Sequence, residues 1–115
     1  MGAILIADAD VTVRSVVRSV LSAFGYTVIE AGDGRGAIRR FEQYCGEIDT
    51  VIAPLMLPEI TGAELARYVQ TRCPGAGVIL MCDGNQRPCT LQAGWRVIQK
   101  PFTARIMIDY VRCRC

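Results

Sequence analysis

Five short apolar runs recur along the chain: Ala3–Ala7, Tyr26–Ile29, Thr50–Ala53, Val78–Cys82 and Trp95–Ile98. They are rich in Val and Ile and mostly continuous. A strand wetted on one face alternates apolar and polar residues, whereas a continuous run belongs to a strand covered on both faces. Helical patterns lie between the runs. Val13, Val16, Val17, Val20, Leu21 and Phe24 follow the i, i+3, i+4, i+7 rule, with Ser15, Arg18 and Ser22 on the other side. Asp10 or Thr12 can cap the start of this helix, and Gly25 can close it. Asp33 can cap a second helix carrying Ile38, Phe41 and Cys45. Thr61 can cap a third carrying Leu65, Ala66 and Val69, which Pro74 closes. Thr103 can cap a last helix carrying Ile106, Tyr110 and Val111.

Strand and helix therefore alternate with short links. That order predicts a parallel sheet with helices on both faces and right-handed crossovers. In such sheets ligands bind beyond the carboxyl ends of the central strands. This gathers Ala7–Asp10, Pro54–Leu57, Cys82–Gly84 and Gln99–Pro101 around one pocket. One stretch breaks the rhythm. Asp83-Gly84-Asn85-Gln86-Arg87-Pro88 is turn chemistry, and only Pro88 to Ala93 can be helical. The fourth helix is expected to be short or irregular.

Composition narrows the picture. A chain of 115 residues fits one domain, here residues 1–115, and 51% hydrophobic content gives it a core. A net charge of +2, with no basic block, gives no reason to expect nucleic acid. No apolar run approaches the ~20 residues of a membrane span, and no targeting segment is visible. The expected location is cytoplasmic. Twelve of the 13 basic residues are Arg, and Lys100 is the single Lys. The six Cys include no CxxC pair and His is absent, so no zinc pattern arises. Most read as small apolar residues or free thiols.

The residues around the predicted pocket resemble the response-regulator receiver (CheY-like) domains of two-component signalling. Ala3-Ile4-Leu5-Ile6-Ala7-Asp8 is similar to the first strand and its acids. Ile52-Ala53-Pro54-Leu55-Met56-Leu57-Pro58, followed by Gly62, is similar to the stretch after the third. Val97-Ile98-Gln99-Lys100-Pro101-Phe102 is similar to the fifth strand and the Lys-Pro step. The resemblance implies an α/β fold, a single flavodoxin-like (βα)5 domain.

It also implies phosphoryl chemistry: an aspartate nucleophile after strand three, two acids holding Mg²⁺, a Ser or Thr hydroxyl after strand four, and a Lys before the Pro. Matched residue by residue, this sequence departs at most of those places. Pro54 stands at the acceptor position and offers no nucleophile. The acidic pair is Asp8-Ala9. The hydroxyl position is Cys82, a weak donor, and the switching aromatic is Val97. Lys100 alone matches. The expectation is a degenerate phosphorylation pocket of Asp8, Ala9, Pro54, Cys82 and Lys100, with no metal, no cofactor and no enzymatic activity. Asp10 reads as a helix cap rather than a second metal ligand. Lys100 is expected to pair with Asp8, and the resemblance raises a cis Lys100–Pro101 peptide. Asp83 reads equally as a turn residue or as a partner of Lys100 or Arg87.

The last helix, with Ile106, Met107, Ile108 and Tyr110, is more apolar than one core stripe requires, so these four are candidates for partner binding. The expected function is a phosphorylation-independent module that binds a histidine kinase, a phosphotransfer protein, a response regulator or its own copy as a homodimer. Two alternatives are a phospho-accepting regulator with a rearranged site and a thiol-based redox sensor using Cys82 or Cys89.

Overall fold

The computed structural model describes residues 2–83 and 95–112. Five parallel strands form one sheet in the order β2-β1-β3-β4-β5: β1 (Ala3–Ala7), β2 (Thr27–Ala31), β3 (Ile48–Pro54), β4 (Gly77–Asp83) and β5 (Trp95–Lys100). Four helices flank it among the described residues: α1 (Val11–Ala23), α2 (Gly34–Gln43), α3 (Gly62–Arg72) and α4 (Ala104–Arg112). No helix of the described residues is long and apolar enough to cross a membrane. The stretch expected to hold a short fourth helix lies outside the described residues.

In the central strands β1, β3 and β4 the continuous apolar runs have the reason anticipated for them, whereas the edge strands β2 and β5 are only partly buried. All five residues of β1 are buried. Leu5 and Ala7 face a cluster with Phe41, Val51, Leu65 and Val69, under α2 and α3. Ile4 and Ile6 face the other side, with Val17, Leu21, Ile52, Ile98 and Val111 under α1 and α4. A central strand must feed both cores, so both of its faces are apolar.

Local chemistry sets the helix ends. Asp10, not Thr12, caps α1: its carboxylate accepts from the amides of Thr12 and Val13. At the other end Gly25 takes φ +90, its N–H bonds the Ser22 carbonyl, and the Tyr26 N–H bonds the Leu21 carbonyl. These paired bonds form a Schellman closure, which needs the left-handed backbone that Gly adopts without strain. Thr61 and Glu64 form a reciprocal capping box on α3, with bonds of 3.0 and 2.8 Å. Thr103 accepts from the Ile106 amide at 3.1 Å and so starts α4. One expectation fails here: α2 ends at Gln43, and Cys45 lies exposed in the following turn rather than on the helix.

Candidate functional site

Because the strands are parallel, their carboxyl ends share one edge of the sheet. Asp8 follows β1, Pro54 ends β3, Cys82 is the second-last residue of β4, and Lys100 ends β5. The grouping expected of these residues is thus a consequence of topology.

Asp8 is 5% exposed, and most of its polar atoms are committed. Its N–H donates to the Ala31 carbonyl at 3.1 Å. Its carbonyl accepts from the Arg14 guanidinium at 2.7 Å. Oδ1 accepts from the Asp10 amide at 2.9 Å. Oδ2 is buried and has no hydrogen-bond partner among the described residues. The expected ion pair with Lys100 is not formed among the described residues. Lys100 is half-buried at the end of β5, three strands away from β1, with β3 and β4 between them. The Lys100–Pro101 peptide is cis.

The end of β3 is built without polar side chains. Pro54 still pairs with Met81 of β4, and the next residue continues the ladder through the Leu55 N–H to the Met81 carbonyl at 3.2 Å. Amide directions alternate along a strand, so the N–H that Pro54 lacks would point toward β1. That ladder ends earlier, at Ile6 and Ile52. Proline is tolerated there because it removes no sheet bond. The chain then folds back, and Gly62 at the start of α3 donates to the Leu55 carbonyl at 2.9 Å. A Cβ on Gly62 would sit 2.1 Å from the Pro54 carbonyl oxygen. The same loop is tied to α2: the Gly34 N–H bonds the Pro58 carbonyl at 3.3 Å, and Arg35 pairs with Glu59 at 3.3 Å.

Ala9 is exposed, and Cys82 is buried at 1%. Met107 and Ile108, expected on a partner-binding surface, are instead core residues at 1% and 2% exposure. The apolar width of α4 reflects its packing onto β1, β3 and α1, which needs a broad face. Tyr110 is half-buried and held in place. Its hydroxyl donates to the Val97 carbonyl at 3.0 Å, and the Arg96 guanidinium lies over its ring and bonds its carbonyl. Only Ile106 of the four is exposed, at 42%.

Arg14 and Glu30 escaped the sequence reading. The Arg14 Nε pairs with Glu30 at 3.0 Å while the same guanidinium braces the Asp8 carbonyl. The signal was present: Arg14 precedes Val17 and Leu21 by three and seven residues, so it falls on the buried stripe of α1, where an arginine needs a fixed partner.

The Mg²⁺ ion that the resemblance implies can be tested against these donors. Mg²⁺ demands octahedral oxygen coordination and is usually held by one or two carboxylates together with phosphate. Here Asp8 offers one uncommitted oxygen, Ala9 offers none, and the Asp10 carboxylate caps α1. No three His, Cys, Asp or Glu side chains among the described residues gather closely enough to share an ion. The donor set does not fit.

Comparison with known proteins agrees with this architecture. The sequence pattern of the response regulator receiver domain matches residues 4–112. The chain is 29% identical over 113 residues to the sensor kinase CckA of Brucella abortus (strain 2308), covering 95% of this chain and 12% of that protein. It is 30% identical over 115 residues to the DNA-binding transcriptional regulator NtrC of Bradyrhizobium sp. (strain RP501 Parasponia), covering 96% of this chain and 23% of that one. The crystal structure of the receiver domain from the hybrid histidine kinase CckA superposes with a TM-score of 0.84 at 30% identity, covering 96% of each chain. The chain spans less than half the length of the curated relatives it matches. With its five-stranded parallel sheet and its match along nearly the whole sequence, the chain belongs to the response regulator receiver domain family.

Proposed function

We propose that this receiver domain works without a phosphoryl switch and signals by binding another protein. The observation that carries the reading is Pro54 at the end of β3, where the resemblance places the acceptor aspartate. A proline has no side-chain nucleophile. The surroundings support the same reading: the loop after Pro54 is closed by Gly62 and tied to α2. Asp49 lies near the start of β3, and Glu59 is paired with Arg35. The burial of Cys82 weighs against a thiol sensor at that residue, because a sensing thiol must meet its oxidant, and Cys89 lies outside the described residues.

The matched relatives carry such a stretch within a sensor kinase and a DNA-binding regulator. The partner is accordingly a histidine kinase, a phosphotransfer protein, a response regulator or a second copy. Ile106, at the first turn of α4, is the exposed apolar contact left from the four candidates. The test is incubation with labelled acetyl phosphate and Mg²⁺, with the label followed through hydroxylamine treatment. The expected result is no labelling above a denatured control. Stoichiometric, hydroxylamine-labile label would show an acyl phosphate and support the rearranged phospho-acceptor instead.

A further inference from the structure

We infer that Asp8 is a buried carboxylate with one oxygen unpartnered among the described residues, and that neutralising it stabilises the fold. The inference rests on the reading above but can fail separately from it. Three of the four polar atoms of Asp8 are satisfied by the chain itself, through Ala31, Arg14 and Asp10. The fourth, Oδ2, is buried without a partner among the described residues, in a residue that is 5% exposed. A buried ionised oxygen without a hydrogen bond or counter-ion is a net cost to folding. Nearby groups do not relieve it. Arg14, the closest cation in this network, gives its guanidinium to the Asp8 carbonyl and to Glu30. The Asp10 carboxylate accepts the Thr12 and Val13 amides at 2.9 and 3.3 Å, so it is held as a cap rather than offered as a second ligand. Ala9 offers nothing to it, because its side chain is a methyl group. The acid thus keeps the scaffold of a ligand site while the rest of the donor set is absent.

Thermal melts of Asp8→Asn against wild type, each with and without millimolar Mg²⁺, test this. Asn keeps the shape of the side chain and an oxygen for the Asp10 amide, and a neutral amide costs less to bury than an ion. The expected result is a rise in Tm of roughly 3–5 °C for Asp8→Asn, with wild type unmoved by Mg²⁺. The double variant Ala9→Asp/Pro54→Asp serves as the positive control, regaining a Mg²⁺-dependent rise. An unchanged or lowered Tm in Asp8→Asn overturns the inference, as does a saturable Mg²⁺-dependent rise in wild type that Asp8→Asn abolishes. An Asp8→Asn variant that does not fold counts as a lowered Tm and overturns the inference too. Mg²⁺ binding without labelling by acetyl phosphate sinks this inference and leaves the proposed function standing, whereas labelling sinks the proposed function.

Discussion

The carboxyl ends of β1 and β3 lie side by side on the same edge of the sheet and are built in opposite ways. Beyond β1 the chain keeps an acid, ties it to the Ala31 carbonyl and to donors from Arg14 and Asp10, and still leaves one carboxylate oxygen unpartnered among the described residues. At the end of β3 itself no charged side chain stands: Pro54 ends the strand, and the backbone of Gly62 closes over it. The first end is polar and incompletely satisfied, and the second is packed and satisfied through the main chain. The polar end has a structural duty of its own, because Asp8 holds the amide of Asp10, whose carboxylate caps α1.

Three substitutions probe the contrast. The largest effect is expected at the packed end. Gly62→Ala places a methyl group 2.1 Å from the Pro54 carbonyl oxygen, a backbone atom that cannot rotate away. The expected loss is about 3 kcal/mol, against a gain of at most ~1 kcal/mol from the better helix former. Urea unfolding measures it, and a neutral result would show that the end of β3 is looser than its contacts indicate. At the polar end, Arg14→Ala removes both the Glu30 ion pair and the donor to the Asp8 carbonyl. A loss of about 1–2 kcal/mol is expected from the same melts, since Arg14 and Glu30 are both largely buried. If the loss were no larger than that of an exposed pair, Arg14 would not brace the Asp8 loop. The smallest effect is expected for Asp10→Ala, which strips the cap from α1 and costs about 1 kcal/mol. A larger loss would mean that Asp10 also supports the Asp8 carboxylate.

Much of this was legible before any coordinates. The continuous runs at Ala3–Ala7 and Val78–Cys82 announced strands covered on both faces, and β1 and β4 are buried along nearly their whole length. The caps at Asp33, Thr61 and Thr103 were readable because each is a local matter of one side chain and an amide a few residues on. The position of Pro54 at the pocket edge was readable too, since parallel topology sends every strand's carboxyl end to the same side. The pairing inside the pocket was not. Asp8 and Lys100 were matched on charge alone, but β3 and β4 separate their strands. Met107 and Ile108 were assigned to a surface because one buried stripe seemed sufficient for α4, yet both are core residues.

The sequence by itself determined the order of elements, the sheet type and the residue types at the pocket edge, because periodicity, capping and strand polarity act over a few residues. Only the tertiary structure decided which polar atoms are satisfied. Arg14 reaches Glu30 across 16 residues of chain, Gly62 closes on the carbonyl of Pro54, and Asp8 is left with one bare oxygen. Hydrogen bonds and close packing depend on separations of tenths of an ångström between residues far apart in sequence, and no local pattern encodes those.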